Sequence, residues 1–209
     1  FLYDQTHVTH RTGTQSLTER MFIPTHSSMR PNVKLFYKGE SLTENNVFTY
    51  DSLGNVTTHK VTPYSSTVVQ TTTFTYDSHG RLIKETNPLG LSSEYTYGTD
   101  GRMSSSKDKR GNATTYTYDS FGRETRVVYP DNTIKTVSYE WCNERSGELY
   151  AIVTTETGKP SIKVVYDAFN REVRRSDRRF DGTWRNIVTT YNSRGKIAQE
   201  SLPYKGTNP

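Results

Sequence analysis

Four aspartates stand at matching places along the chain, each directly after a tyrosine, and a row of carboxylates suggests calcium binding. They are Asp51, Asp77, Asp119 and Asp167. A calcium site needs several oxygens around each ion, whereas these carboxylates are more than 20 residues apart. An aspartate also begins tight turns, because its carboxylate accepts hydrogen bonds from backbone N–H groups ahead of it. We therefore interpret the four aspartates as turn caps and expect no bound metal.

The histidines offer nitrogen ligands without suitable partners. His7 and His10 are three residues apart, which would suit one face of a helix. The flanking Val8 and Thr9 indicate a strand, in which the two imidazoles point to opposite sides. The remaining histidines lack a Cys or carboxylate partner at ligand spacing: His26, His59 and His79. We interpret His7 and His10 as surface histidines.

The single cysteine, Cys142, follows Trp141 and could act as a nucleophile only with a histidine brought near in space. No local signature supports that role, so we interpret Cys142 as a half-buried side chain beside the tryptophan. One cysteine also excludes an intrachain disulfide framework. The sequence therefore predicts no catalytic residue, no cofactor and no enzyme.

Arginines are concentrated in one predicted strand. Arg171, Arg175 and Arg179 fall on one face of it, and Arg174 and Arg178 fall on the other. A strand charged on both faces favours a wall with water on each side, and a polyanion site is the alternative. The net charge of +5 is spread over charges of mixed sign, so we expect no nucleic-acid partner.

An internal repeat reveals the elements that position these side chains. The pattern aromatic-Thr-Tyr-Asp-Ser-x-Gly-Arg recurs with its tyrosine every 21 residues, or with 4 to 6 residues inserted. A degenerate copy ends at Tyr139 and Glu140. The repeated positions are Tyr50, Asp51, Gly54, Tyr76, Asp77, Gly80, Tyr97, Asp100, Gly101, Tyr118, Asp119, Gly122, Tyr166, Asp167, Asn170, Tyr191 and Gly195.

Each part of the motif has a physical reason. Tyrosine and the residue two before it share a strand face, aspartate begins the turn, and glycine takes the positive φ that ends it. Asn170 replaces glycine in one copy and tolerates the same conformation. A second turn signal, such as Asp181-Gly182, falls midway through each unit. One repeat is therefore one antiparallel hairpin, and the chain is predicted to be all-β, with its tandem hairpins forming a curved sheet.

Composition agrees with a thin sheet. Hydrophobic residues make up 31%, and aromatics make up 12%, with 15 Tyr. Disordered segments are poor in aromatics, so we expect a folded chain with a small core. Residues 1–46 are predicted to be divergent repeats or an irregular first segment, and residues 47–209 the regular repeat sheet. The chain starts at Phe1 and has no apolar run near 20 residues, so we expect an internal piece of a longer protein without direct membrane insertion.

The repeated motif resembles the YD repeat of bacterial Rhs proteins, Tc-toxin B and C subunits, and animal teneurins. The resemblance covers about residues 47–203. Its C-terminal part is similar to a block of large Tc-B-like Rhs toxins and includes Trp141-Cys142, Phe169-x-Arg171-Glu172, Phe180-Asp181-Gly182 and Ser201-Leu202-Pro203-Tyr204. No Rhs core box, recognisable self-cleavage aspartates or variable toxin tip is present in this sequence.

The resemblance implies a hollow, spiral β-shell that encloses a toxic C-terminal domain until delivery. The implied partners are the remainder of the same shell, the enclosed toxin domain and other toxin-complex subunits. The implied location is secreted or extracellular, with the signal outside this sequence. An extracellular adhesion module that contacts glycans or a cell-surface partner, as in teneurins, is the alternative.

Overall fold

The computed structural model describes residues 2–12, 15–24, 30–38 and 41–206, with side chains from residue 30 onward. Runs of Thr, Tyr and Val form its strands, because these side chains suit a pleated, half-wet surface. No helix occurs among the described residues, and each repeat forms antiparallel strands as predicted. The predicted all-β fold of tandem hairpins is therefore confirmed.

The chain divides into two compact units, one of Phe1–Thr96 with Ser106–Asn112 and one of Tyr97–Ser105 with Ala113–Pro209. Strand β9 (Met103–Lys107) contributes residues to both units. The first unit contains β1 (Leu2–Thr12), β2 (Gln15–Pro24), β3 (Val33–Lys38), β4 (Ser41–Tyr50), β5 (Val56–Pro63), β6 (Gln70–Tyr76), β7 (Leu82–Thr86) and most of β8 (Ser92–Tyr97). The second contains β10 (Ala113–Tyr118), β11 (Glu124–Val128), β12 (Ile134–Trp141), β13 (Tyr150–Glu156), β14 (Ile162–Tyr166), β15 (Glu172–Arg178), β16 (Trp184–Tyr191), β17 (Ile197–Glu200) and β18 (Tyr204–Gly206).

In the first unit, β1 to β8 pair in chain order, each antiparallel to the next. One row of directly opposed residues crosses five strands: Thr49, Thr58, Thr73, Thr86 and Ser92. Hydroxyl groups in this row bond across the sheet, with 2.7 Å between Thr49 and Thr58 and 2.9 Å between Thr86 and Ser92. Hydrogen bonds between hydroxyls therefore replace apolar contacts along this row.

The opposite face of the first unit has a small aromatic and polar contact. The rings of Phe48 and His59 stack with centroids 4.5 Å apart. The buried Asn46 bonds through its amide oxygen to His59 Nε2 at 2.5 Å, and its amide nitrogen donates to Glu44 at 2.6 Å. Desolvation lowers the pKa of His59, although Glu44 partly opposes the shift. His59 thus contributes a ring stack and a hydrogen bond to this face of the unit.

The second unit pairs β10 to β17 in order, and β16 also pairs with β18. Its core is thin: Ala151 and Val165 are fully buried and lie beside Cys142. Next to them, the buried hydroxyl of Ser176 donates to the buried amide oxygen of Asn186 at 2.6 Å. Cys142 is 4% exposed, so the prediction of a half-buried thiol was wrong.

Strand β4 runs through residue 46, and the domain boundary proposed there stays a prediction. Both His7 and His10 lie in β1, but their side chains and all of His26 are outside the described residues. In the described part of the chain, no helix has the length and hydropathy required to cross a membrane.

Candidate functional site

The repeated turn is built around the aspartate carboxylate. In the copy at Asp77, Oδ1 accepts hydrogen bonds from the backbone N–H groups of His79 at 2.9 Å and Arg81 at 3.0 Å. Oδ2 accepts from two guanidinium nitrogens of Arg81, each at 2.7 Å. The same carboxylate-to-arginine fork recurs at Asp119 and Asp167. A single carboxylate therefore fixes both the turn backbone and the side chain just before the return strand.

The backbone of the turn closes in the same way in successive copies. The N–H of Gly54 donates to the Asp51 carbonyl at 3.0 Å, and the Asp51 N–H donates to the Asn55 carbonyl at 2.9 Å. Gly54 has φ +83°, and Asn170, which stands in its place in another copy, has φ +60°. These are the features of a type I turn followed by a left-handed residue.

The third copy differs in its first turn position. Gly98 stands where four copies have aspartate, and its N–H donates to the Arg102 carbonyl at 2.8 Å. Asp100 lies two residues later and accepts from the Arg102 N–H at 3.1 Å and from the Arg102 guanidinium at 2.9 Å. Asp100 thus binds the arginine from a different position. Gly101 keeps the positive φ at +82°.

The motif tyrosine stands at a β-bulge in five copies. The register shifts at Tyr50, Tyr76, Tyr118, Tyr166 and Tyr191, and each of these tyrosines pairs with the residue six positions ahead. A bulge leaves one residue of the return strand outside the regular ladder. Hydrogen bonds near the bulge must therefore come from groups outside the regular ladder.

The tyrosine hydroxyl of the next hairpin supplies one such bond. Tyr76 donates to the Val56 carbonyl at 2.9 Å, and Tyr191 donates to the Glu172 carbonyl at 2.8 Å. Val56 and Glu172 each begin a return strand and lie two residues before the first pair that strand makes with the next one. Tyr50 makes a similar bond to the Pro31 carbonyl at 2.6 Å. Burial raises the pKa of Tyr50 and Tyr76, which keeps the hydroxyls protonated as donors.

The arginine that ends one turn packs against the next hairpin. The Arg171 guanidinium lies 4.5 Å from the centre of the Tyr191 ring, and the Arg123 guanidinium lies 3.9 Å from that of Tyr139. Arg102 lies 6.0 Å over the Tyr118 ring. At the junctions where they occur, these cation–π contacts and the tyrosine hydrogen bonds tie a hairpin to its neighbour in the chain.

The degenerate copy at Tyr139 lacks the turn and contains an insertion instead. Strand β12 continues to Trp141, and residues 142–149, which we name the strap, connect it to β13. The strap lies over β13 to β15, because its Glu148 side chain reaches the buried Arg174 of β15. This insertion accounts for the longer spacing before Tyr166.

The strap covers a cluster of charges that the sequence analysis missed. Glu148 binds Arg174 through two contacts, at 2.8 and 3.1 Å, and Glu144 binds the same guanidinium at 2.7 Å. Lys163 is also buried, and its Nζ lies 2.9 Å from Glu144 and 3.6 Å from Glu140. The signal available in the sequence was two glutamates inside an insertion, ahead of a strand rich in arginine.

Arg174 is 2% exposed, which contradicts the expectation of water on both faces of this strand. Its charge is compatible with burial because two carboxylates neutralise it. Arg175, on the other face, pairs with Glu172 at 2.8 Å and is half-exposed. Arg171 is half-buried through its contacts with Asp167 and Tyr191. Each of these three arginines is thus paired with a carboxylate.

Three ligand-type groups of the strap, those of Cys142, Glu144 and Glu148, lie within 4.8 Å of one another. All three groups already have partners within the protein, since both carboxylates bind Arg174 and the Cys142 thiol donates to Glu148 at 3.4 Å. Desolvation raises the pKa of the thiol, and its contact with Glu148 raises it further. The group is therefore a structural ion cluster with a protonated thiol.

Exposed aromatic side chains surround one cavity of the second unit. It is about 650 Å³ and is lined by Phe121, Arg123, Tyr139, Trp141 and Tyr150, among others. Trp141 is 84% exposed and Phe121 is 80% exposed. The Arg123 guanidinium lies against Tyr139 and is neutralised by Asp119. The cavity therefore presents apolar rings to solvent, and the arginine beside them has its charge neutralised.

Together, these features define a repeat protein of antiparallel hairpins, in which turn caps, tyrosine hydroxyls and arginines connect each copy to the next. The chain belongs to the teneurin YD-shell family, whose sequence model matches residues 37–208. The YD-shell is a fold with a structural role and is not a known catalytic fold. Curated proteins were also compared, and none matches.

Solved structures of Tc toxins are similar to this chain at low identity. The crystal structure of TcdB2-TccC3-TEV is 14% identical, with a TM-score of 0.49 over 91% of this chain and 15% of that one. A Photorhabdus luminescens Tc holotoxin pore is 13% identical, with a TM-score of 0.39 over 91% and 14%. TcdB2-TccC3 without its hypervariable C-terminal region is 13% identical, with a TM-score of 0.40 over 95% and 15%. The chain spans about 15% of the length of these proteins.

Proposed function

We propose that this chain is a wall segment of an Rhs/Tc-type toxin shell that encloses a toxic C-terminal domain before delivery. Its partners are the remainder of the same shell, the enclosed domain and other subunits of a toxin complex. Its role is structural, without catalysis, nucleic-acid binding or direct membrane insertion. Its location is secreted or extracellular, in a bacterium.

One observation supports this role most strongly. The hydroxyl of a motif tyrosine reaches the carbonyl that begins the preceding return strand, as in Tyr76 to Val56 and Tyr191 to Glu172. These bonds fasten hairpin to hairpin along the line of turns, where the bulge interrupts the ladder. A wall that retains cargo needs such closure, because an open seam would admit proteases and water.

The family also supports the proposal, because a YD-shell is a structural fold and the match covers residues 37–208. The thin core of the second unit agrees with a wall rather than a globular enzyme. Ala151 and Val165 are buried there beside Ser176 and Asn186. Among the described residues, six polar or charged residues and four hydrophobic ones are buried.

The test uses the complete gene product that contains this segment. Double substitution of Tyr76 and Tyr191 by Phe removes two hydroxyls and retains both rings, and Tyr64→Phe is the matched control because Tyr64 is 73% exposed. We expect the double variant to fold but to make a C-terminal domain accessible to limited proteolysis, while the control protects it. A C-terminal domain cleaved equally fast in the unmodified protein would reject encapsulation.

The cavity lined by Phe121 and Trp141 favours a second candidate, an extracellular adhesion module that binds a glycan or a cell-surface partner. Exposed aromatic rings next to polar groups suit stacking on sugar rings. A glycan-array screen of the chain and its Trp141→Ala variant tests it. Binding that depends on Trp141 would support adhesion, and a blank array would leave the shell role as the better explanation.

A further inference from the structure

The strap, residues 142–149, is closed on itself by few backbone bonds. The Cys142 N–H donates to the Leu149 carbonyl at 3.0 Å, and the Glu148 N–H donates to the Arg145 carbonyl at 3.2 Å. The Leu149 N–H also donates to the Tyr166 carbonyl at 2.8 Å. These bonds shape the turn and hold its last residue, but they do not hold its middle against the sheet below.

Side-chain ions hold the middle of the strap down. The side chain of Glu148 is 3% exposed and lies on Arg174, which is 2% exposed. Glu144 bridges Arg174 and Lys163 at 2.7 and 2.9 Å. Ala151 and Val165, beside Arg174 in the sheet, are fully buried. The attachment therefore depends on two carboxylates of the strap and two cations of the sheet.

The other charged or titratable groups that face this cluster are few. Glu140 of β12 lies 3.6 Å from Lys163, and the Cys142 thiol lies 3.4 Å from Glu148. Arg145 of the strap lies 5.8 Å over the Tyr204 ring of β18. Arginine, lysine, cysteine and tyrosine keep their charge state from neutral pH into acid, so the carboxylates are the groups of this cluster that acid can affect.

We propose that the strap is an acid-released cover: loss of the charge of Glu144 in acid detaches it and exposes Cys142 and the face of β13 to β15. The two cations cannot lose their charge in acid, so a protonated Glu144 leaves Lys163 without its nearest carboxylate and Arg174 with one counter-charge fewer. A buried charge without a partner is strongly unfavourable. Opening the strap returns both cations to water.

The direction of the titration agrees with this device. Desolvation opposes ionisation of Glu144, but hydrogen bonds from Lys163 and Arg174 outweigh it and lower the pKa of this carboxyl. A lowered pKa in the closed form means that closure is favoured above the ordinary glutamate pKa of about 4.3 and is lost as the pH falls below it. The strap is therefore closed at neutral pH and opens in acid.

Cys142 is the sole cysteine of the 209-residue chain, so its labelling reports opening without further engineering. The experiment measures the rate of reaction with 4,4′-dithiodipyridine, a thiol reagent that works in acid, relative to the denatured chain at each pH. Circular dichroism at the same pH values follows the sheet. The variants are Glu144→Gln and Glu148→Gln, and Glu172→Gln is the control because Glu172 pairs with the half-exposed Arg175 on the other face.

We expect the unmodified chain to protect Cys142 at least tenfold at neutral pH and to lose that protection in acid while the sheet signal persists. The Glu144 side chain is 45% exposed in the native protein, so we expect Glu144→Gln to fold and to label faster at neutral pH. Glu172→Gln should behave as the unmodified chain. The proposal is overturned if protection is constant into acid, if labelling rises only together with loss of the sheet signal, or if Glu144→Gln leaves neutral labelling unchanged.

Discussion

The hydroxyl of Tyr76 donates a 2.9 Å hydrogen bond to the carbonyl of Val56, which lies 20 residues earlier in the preceding hairpin. Val56 is opposite Tyr50 at a bulge and lies outside the ladder between β5 and β6. One motif tyrosine thus stands at the bulge of its own hairpin, and the next motif tyrosine donates to the carbonyl near it. The repeat is defined by this relation between copies as much as by its own turn.

Substitution of Tyr76 or Tyr191 by Phe should therefore lower the free energy of unfolding by about 1 kcal/mol each, the usual net value of a hydrogen bond. Truncation of the motif tyrosines to Ala should cost about 1–4 kcal/mol, because a large half-buried ring is also lost. Urea unfolding followed by circular dichroism measures both. Tyr64→Phe should be neutral, and an equal loss there would mean that the interstrand bond contributes nothing.

Asp77 should give the protein a pH-dependent stability at acid pH. Hydrogen bonding from the Arg81 N–H, with help from its guanidinium and the His79 N–H, holds the pKa of Asp77 at about 2 against desolvation. Because the folded pKa is lowered, the stabilisation is present above the ordinary value of about 3.9 and is lost as the pH falls towards 2.

The Asp77→Asn variant separates charge from turn capping. Asn192 already caps an equivalent turn through its amide oxygen, accepting from the Arg194 and Lys196 N–H groups at 3.0 Å. At neutral pH the midpoint of thermal unfolding should be highest with Asp77, lower with Asp77→Asn and lowest with Asp77→Ala. The difference between Asp and Asn should vanish near pH 2. A gap that stays constant with pH would contradict the assigned role of the charge.

Gly122→Ala should destabilise more than Gly182→Ala. Both glycines have a positive φ, +82° and +80°. Holding an alanine in this left-handed conformation costs about 1–2 kcal/mol in each variant. A methyl at Gly182 meets open space, whereas one at Gly122 overlaps the Arg102 guanidinium that packs below it. Chemical unfolding of the two variants measures the difference, and equal losses would show that Arg102 moves aside without cost.

Arg174→Met and Arg175→Met form a second matched pair on adjacent residues. Removal of Arg174 leaves the buried Glu148 without its counter-charge, so we expect a loss of about 3–5 kcal/mol. Arg175 is half-exposed with Glu172, so its loss should cost about 0–1 kcal/mol. Denaturant titration of the two variants measures both losses of unfolding free energy. Similar values for both would mean that water reaches Arg174 in solution.

The isolated chain should self-associate. Strand β17, residues Ile197–Glu200, is exposed along its whole length, and among the described residues it pairs with β16 alone. Unpaired edges invite pairing with another chain, and a lysine on the edge opposes this. Light scattering should show oligomers that Ala198→Lys reduces, while Ala168→Lys, in an exposed turn, should not. A monomeric unmodified chain would favour the independent adhesion module.

The local parts of this fold follow from local chemistry, so the sequence predicts them. Aspartate, glycine and their spacing define a turn that closes within five residues, and the aromatic-Thr-Tyr alternation defines the strand before it. The copy at Asp77, with its Arg81 fork, shows how little of this depends on distant contacts.

The relations between copies could not be predicted, because they depend on register and on an insertion. Tyr76 reaches Val56 at the place where a bulge shifts the pairing of Tyr50 by one residue. Arg174 alternates along its strand like a solvent-facing residue, and its burial is caused by Glu144 and Glu148, about 30 and 26 residues earlier. No pattern within the strand contains that information.

The tyrosine hydrogen bonds described above each join a hairpin to the one before it and to no other. A chain whose cohesion is limited to adjacent copies has stability that adds up pair by pair. Gene duplication or deletion of a whole copy would then leave every remaining junction with a suitable partner. Such a protein can change its length in evolution one hairpin at a time, without redesign of the parts it keeps.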